Sequence, residues 1–172
     1  MHSARLVLET GDIFSGKVFS QGKDCFGELI FNTAMTGYEE VLTDPSYKGQ
    51  FVMLTYPLIG NYGINQQDMQ SKQLHLEALI VKEYVPYPSH FGSQYSLKEY
   101  LEANDILGIE DIDTRYVTRK LRHHGALKAF LTTSTMSDED AIEQCRLFKG
   151  IDRINLVETV STSDTYRLKC PN

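Results

Sequence analysis

The sequence has no tryptophan, only three cysteines and only five prolines. Cys25, Cys145 and Cys170 lie far apart and form no CxxC pair. So odd and sparse a set does not make a disulfide framework, and it fits a reducing cytoplasm. The plain reading of each cysteine is a small buried hydrophobe. No apolar run approaches the ~18 residues that span a bilayer. The N-terminus has no basic region followed by an apolar one, so neither a secretory signal nor a membrane partner is expected. GxxxxGK followed by Ser or Thr is missing, and so is GxGxxG; nucleotide binding by those routes has no support. HExxH and paired-cysteine patterns are also missing, so no metal site is expected. Positive charge is in short supply: 17 Lys and Arg stand against 23 Asp and Glu, a net charge of −6. Proteins that grip phosphates carry a basic surface, so nucleic acid is not expected as a partner.

What is present is an ordinary mixture, 41% hydrophobic and 23% charged. It suits one domain, or one domain plus a tail, with enough chain for a substantial core. Residues 4–9 (ARLVLE) read as a strand, 10–12 as a turn and 13–19 as the hairpin partner. Residues 25–34 read as a third strand. TGYEEVL, at 36–42, reads as a short helix stopped by Asp44-Pro45. FVMLTY, at 51–56, reads as a buried strand. Residues 73–83 alternate and then turn apolar, which predicts another strand. Ser96 and Glu99 form a capping box that opens a helix ending near Asn104. Asp113 reads as the N-cap of a helix over 113–124, with Gly125 as an αL terminator. Residues 126–133 read as a strand, and Ser137 as the cap of a last helix carrying Ala141, Cys145 and Phe148 on one face. A further strand is expected at 156–160, and residues 161–172 read as a linker or tail. Strands come first and helices later, so the expected fold class is mixed α/β, with no internal repeat.

Several constellations are candidates for chemistry. The first is the stretch 31–65, which holds Gly37, Gly49, Gly60, Gly63, Pro45 and Pro57 among many small polar residues. Such a stretch between strands builds a shaped loop surface. Within it, Ser46 follows Pro45, whose fixed φ presents the next residue on a rigid turn. Its hydroxyl both donates and accepts, although plain turn serines are common. A second candidate joins Cys25 with His75 and Glu77, the parts of a nucleophilic triad if residues 75 and 77 share a strand face. Cys25 lacks the small neighbours of a nucleophile elbow, so the plainer reading is a surface polar pair on an edge strand. His123 and His124 sit at a helix end, where the dipole favours cations. Arg115, Arg119, Lys120 and Arg122 fill one face of the 113–124 helix. That face is either solvated or a docking surface for an acidic partner or an adjacent domain.

Three segments carry a resemblance: LVLETGDIFSG, GELIFNTAMTGYEEVLTDPSYKGQFVMLTYPLIGNYGIN and GIEDIDTRYVTRKLRHHGALKAF. In that order and spacing they strongly resemble the N-terminal domain of the small, glutamine-hydrolysing subunit of carbamoyl-phosphate synthetase. The match covers about 6–133 and continues more weakly to about 160. It implies a β/β/α layered, swivelling-type domain over 1–160, with 161–172 leading toward a glutamine amidotransferase domain absent from this chain. The resemblance further implies docking on the large subunit and a border with the glutamine site. There the ammonia released from glutamine is used with bicarbonate and two ATP to make carbamoyl phosphate for pyrimidines and arginine. In the family, catalysis belongs to a Cys-His-Glu triad with its cysteine in G-x-C-x-G. The 172 residues contain neither that motif nor His-Pro-Glu. The chain is therefore expected to be part of a cytoplasmic glutamine-hydrolysing ligase, with no catalytic residue, no cofactor and no glutaminase activity of its own. The serine of LTDPSY is Ser46, and the resemblance implies that it contacts glutamine. One departure is Ala129, where the family commonly has glycine; a positive φ there would strain alanine. The competing expectation is a stand-alone protein-interaction module without amidotransferase activity.

Overall fold

In a computed structural model, residues 2–162 are described, together with 165 and 167. The strands are β1 (Ser3–Leu8), β2 (Ile13–Ser20), β3 (Cys25–Asn32), β4 (Gln50–Leu54), β5 (Leu58–Ile59), β6 (Ala78–Ile80), β7 (Glu83–Tyr84), β8 (Leu107–Glu110) and β9 (Leu127–Thr132). The helices are α1 (Tyr38–Thr43), α2 (Leu97–Ala103), α3 (Thr114–His124), α4 (Asp138–Leu147) and α5 (Leu156–Val160). The mixed α/β reading, β-rich first and helical later, is borne out.

Seven strands close into a barrel in the order β1-β2-β8-β6-β4-β3-β9, and β9 returns to β1. The neighbours β3/β4, β4/β6 and β6/β8 are parallel, so four adjacent strands run the same way. The other pairs are antiparallel. β5 and β7 form a separate two-stranded parallel sheet.

Alternation along the strands builds the interior. Leu6 and Leu8, Phe51 and Met53, Ala78 and Ile80, Leu107 and Ile109, and Leu127 and Leu131 all join one buried cluster, which α3 completes with Val117 and Leu121. The opposite faces of β4 and β6 are also buried. Val52, Leu54 and Leu79 pack outward against Tyr38 and Leu42 of α1 and Leu97 and Leu101 of α2. From Phe51 to Leu54 β4 is apolar and buried, because both its faces are covered there. On another flank, Val7 and Phe130 meet Ala141 and Cys145 of α4. Gly27 is required by packing: a Cβ there would lie 2.7 Å from the Phe51 ring. Its cross-strand partner is Ala129, fully buried in β9 without a positive φ, so alanine is unstrained there.

Several local expectations need correction. Only Ala78–Ile80 and Glu83–Tyr84 of the 73–83 stretch are strand. Before them, the His75 amide bonds to the Leu42 carbonyl of α1 at 3.1 Å, and the Glu77 amide reaches the start of β4 at the Gln50 carbonyl, 2.8 Å away. Residues 156–160 form a short helix instead of the expected strand. Gly125 does end α3, but with φ 80° and ψ −163°, a positive φ outside the αL region. The tail expected over 161–172 lies mostly outside the described residues, and Cys170 lies outside them.

Candidate functional site

Ser46 sits in a single 3₁₀ turn, Pro45–Tyr47, between α1 and β4. The turn is pinned residue by residue. Asp44 Oδ1 accepts from the Ser46 amide at 2.8 Å. The Tyr47 and Lys48 amides donate to the carbonyls of Asp44 and Pro45. Tyr47 Oη accepts from Asn32 Nδ2 at 3.0 Å, and Lys48 Nζ pairs with Glu77 Oε1 at 2.7 Å. Gly49 closes the turn at φ 80°, and its carbonyl accepts from the Glu28 amide at 3.1 Å. On this fixed frame Ser46 is exposed, and among the described residues its hydroxyl has no partner. Such a hydroxyl suits hydrogen bonding to a ligand. Among the described residues no base is bonded to it, and a serine nucleophile needs one.

The chain returns to this turn late. A Cβ on Gly49 would lie 2.7 Å from Ile151 Cγ2 and 3.6 Å from Leu156 Cδ1. The Ile151 amide donates to Glu28 Oε1 at 3.1 Å. The segment leading into α5 is thus seated beside the Ser46 turn.

At the other end of α1 from this turn lies a network that sequence reasoning missed. Gly37 caps α1 without a side chain. In its place Tyr62 Oη accepts from the amides of Gly37 at 2.7 Å and Tyr38 at 3.0 Å. The Tyr38 and Tyr62 rings stack at 4.2 Å, and Tyr38 Oη donates to the Gly63 carbonyl at 2.6 Å. Glu39 is buried beneath them, and burial pushes its carboxyl above the usual glutamate range. The tyrosines were visible in the sequence as residues, but their convergence was not.

Cys25, His75 and Glu77 do not assemble as a triad. The Cys25 thiol donates to the Glu77 backbone carbonyl at 3.5 Å, and burial, with the nearby Glu77 and Asp24 charges, pushes it up to about 12. A nucleophilic cysteine needs the opposite shift. His75 is buried and bonds through Nε2 to Ser71 Oγ at 3.0 Å; burial lowers its pKa. The single Ser71 hydroxyl proton has the Thr43 carbonyl at 2.7 Å and the Gln73 carbonyl at 3.0 Å as acceptors, which makes the pair a structural tie. Glu77 spends its carboxylate on Lys48. His123 and His124 are exposed in the last turn of α3. Among the described residues no three His, Cys, Asp or Glu side chains come together as a metal site. None of the described helices is long and apolar enough to cross a membrane.

The family model for "Carbamoyl-phosphate synthase small chain, CPSase domain" matches residues 6–131. The chain is 45% identical over 165 residues to the carbamoyl phosphate synthase small chain of Clostridium perfringens, covering 96% of this chain and 46% of that one. It is 46% identical to the small chain of Nitratidesulfovibrio vulgaris, over 95% of this chain and 44% of the relative. It is 48% identical to that of Oceanobacillus iheyensis, over 86% and 40%. The chain thus spans less than half the length of these curated relatives. Among solved structures, an aminopeptidase from Aneurinibacillus sp. strain AM-1 aligns over 77% of this chain and 30% of its own, with a TM-score of 0.42 and 17% identity, too slight a likeness to argue from. With a family model covering most of the barrel, from β1 through β9, the chain belongs to the carbamoyl-phosphate synthase small-chain family, of which it carries the CPSase domain.

Proposed function

We propose that this chain is the domain of a glutamine-dependent carbamoyl-phosphate synthetase that seats the small chain on a large chain and borders the glutamine site. Its role is to help supply ammonia, released from glutamine, to a partner that builds carbamoyl phosphate from bicarbonate and ATP. Pyrimidine and arginine synthesis, in the cytoplasm, are the destinations of that product. The observation that carries this reading is the Ser46 hydroxyl, without a partner among the described residues and held on a hydrogen-bonded turn in a chain of this family. The segment before α5 lies against Gly49, at the end of the turn that carries that hydroxyl. Ser46 acts as a hydrogen-bond partner to glutamine, and chemistry belongs to the amidotransferase domain.

The test is Ser46→Ala in a small chain of full family length, assembled with its large chain. Loss of one neutral hydrogen bond, worth ~1 kcal/mol, raises the glutamine KM about fivefold. Synthesis from free ammonia stays unchanged, because that route bypasses the glutamine site. A glutamine KM equal to that of the unsubstituted protein would refute the role given to Ser46. The 172-residue chain by itself releases no glutamate from glutamine; robust release would overturn the division of labour. The alternative of a stand-alone interaction module has no specific observation in its favour.

A further inference from the structure

The four adjacent parallel strands β3, β4, β6 and β8 all end on one side of the barrel. Just beyond their carboxyl ends lie Thr33, Thr55, Lys82 and Asp113, in strand order. These residues, with Arg115, Thr118, Arg119 and Arg122 of α3, line one cleft of ≈ 660 Å³. Carboxyl ends of parallel strands are where α/β folds commonly place ligands, because chain turns from several strands converge there. The volume lies within the ~300–1,000 Å³ typical of small-molecule sites.

The charge of the cleft runs against that of the chain. Four cations face it in a protein of net charge −6. Arg115, Arg119 and Arg122 are spaced i, i+4 and i+7, so they share one face of α3. All three are exposed, and among the described residues none pairs with a carboxylate. Lys82 has only a 3.7 Å contact with Asp111, whose closer partner is Lys17 at 2.9 Å. Asp113, the one acid in the lining, caps α3 by accepting from the Tyr116 amide at 2.9 Å. By contrast, Lys120 points away from the cleft and pairs with Asp12 at 2.7 Å. The hydroxyls of Thr33 and Thr55 take no partner among the described residues. Unpaired guanidinium forks beside free hydroxyls match oxyanions, which accept paired N–H bonds.

We propose that this cleft binds a small polyanion carrying two or more carboxylate or phosphate groups. Arg115, Arg119 and Arg122 hold one side of the ligand, and Lys82 with the Thr33 and Thr55 hydroxyls holds the other. Enclosure on a concave surface favours a small ligand over an extended acidic polymer. This inference stands apart from the glutamine reading, since it involves neither Ser46 nor the turn that carries it.

Isothermal titration of the full 172-residue chain with sodium pyrophosphate, and separately with sodium citrate, tests it. The two arms separate phosphate from carboxylate preference. Saturable one-to-one binding of at least one anion, weakening as salt rises, is expected. Charge-assisted bonds of this kind are strong enough that Arg115→Gln or Arg119→Gln should weaken it about tenfold or more. Lys23→Gln, at the opposite end of β3, should leave it unchanged. Thermal melts run alongside establish that each variant is folded, and Arg122→Gln replaces any that is not. No saturable binding of either anion overturns the proposal, as does equal weakening by Lys23→Gln or undiminished binding in the arginine variants.

Discussion

Glu39 is a single residue working against its surroundings. It is 3% exposed, and burial raises its pKa despite bonds from the Asn65 amide and Tyr62 that favour the charged form. The sign follows from linkage. The folded state prefers the protonated acid, so this contribution to stability is complete below the unfolded value of ~4.3. It is lost as pH rises through the higher folded value. Glu39→Gln keeps an acceptor oxygen and removes the charge. Its melting temperature should exceed that of the wild type at pH 7–8, by about 2–4 °C for each kcal/mol relieved. The gain should vanish as pH falls toward ~4.3. A glutamine variant less stable at pH 8 would contradict this account.

Cys25 yields a second prediction of the same kind. Its thiol, pushed up to about 12, stays protonated at pH 8. Iodoacetamide at that pH should leave the Cys25 peptide unmodified in the folded chain and alkylate it in urea, as read by peptide mass spectrometry. Ready alkylation in the folded chain would restore the nucleophile reading. The sequence reading of Cys25 as a small buried hydrophobe agrees with the burial that raises its pKa, but the sequence did not show that its thiol bonds to the Glu77 carbonyl. The turn at Pro45-Ser46 was legible because Pro45 restricts the backbone locally, whereas the lack of a partner for the Ser46 hydroxyl among the described residues is a tertiary fact.

Among the elements, two helix starts show what local sequence can and cannot announce. The α2 cap lies within four consecutive residues. Ser96 Oγ accepts from the Glu99 amide at 3.2 Å, and Glu99 Oε2 accepts from the Ser96 amide at 2.9 Å. The α1 cap is the phenol oxygen of Tyr62, 24 and 25 residues from the amides it satisfies. No spacing rule reveals such a partner. Tyr62→Phe keeps the stack on Tyr38 and deletes the acceptor. By analogy with loss of an N-cap it should cost about 1–2 kcal/mol in urea unfolding. A change below about 0.3 kcal/mol would mean that water replaces the phenol, since an exposed helix end can be capped by solvent. The 73–77 segment teaches the same lesson. Its alternation mimics a strand, but only the Glu77 amide reaches β4, at Gln50, while the His75 amide is claimed by Leu42 of α1.

For the molecule as a whole, closure governs the rest. A closed barrel pairs strands far apart in sequence, such as β1 with β9 and β2 with β8. Its inner cluster is shared by every strand of the barrel, so no part should unfold alone. In native-state hydrogen exchange, amides of β1, β4, β6 and β9 should be the slowest and should exchange together. Those of the 86–93 loop, where Tyr87 is 85% and Phe91 97% exposed, should exchange fastest. Independent early exchange of β1 would count against closure.

Elements with local causes could be read directly from the amino-acid order: the β1–β2 hairpin, the capped α2 and α3, the buried β4 and the Pro45-Ser46 turn. The family could be read there too, because long irregular motifs such as LTDPSY survive as contiguous strings. Three-dimensional packing was needed to show that the sheet closes, that Tyr62 caps α1, and that Cys25, His75 and Glu77 have other partners. Packing also placed Lys82 and two threonines opposite the arginines of α3. These facts depend on which strands become neighbours, and hydrophobic alternation specifies a strand's faces without naming the strand beside it.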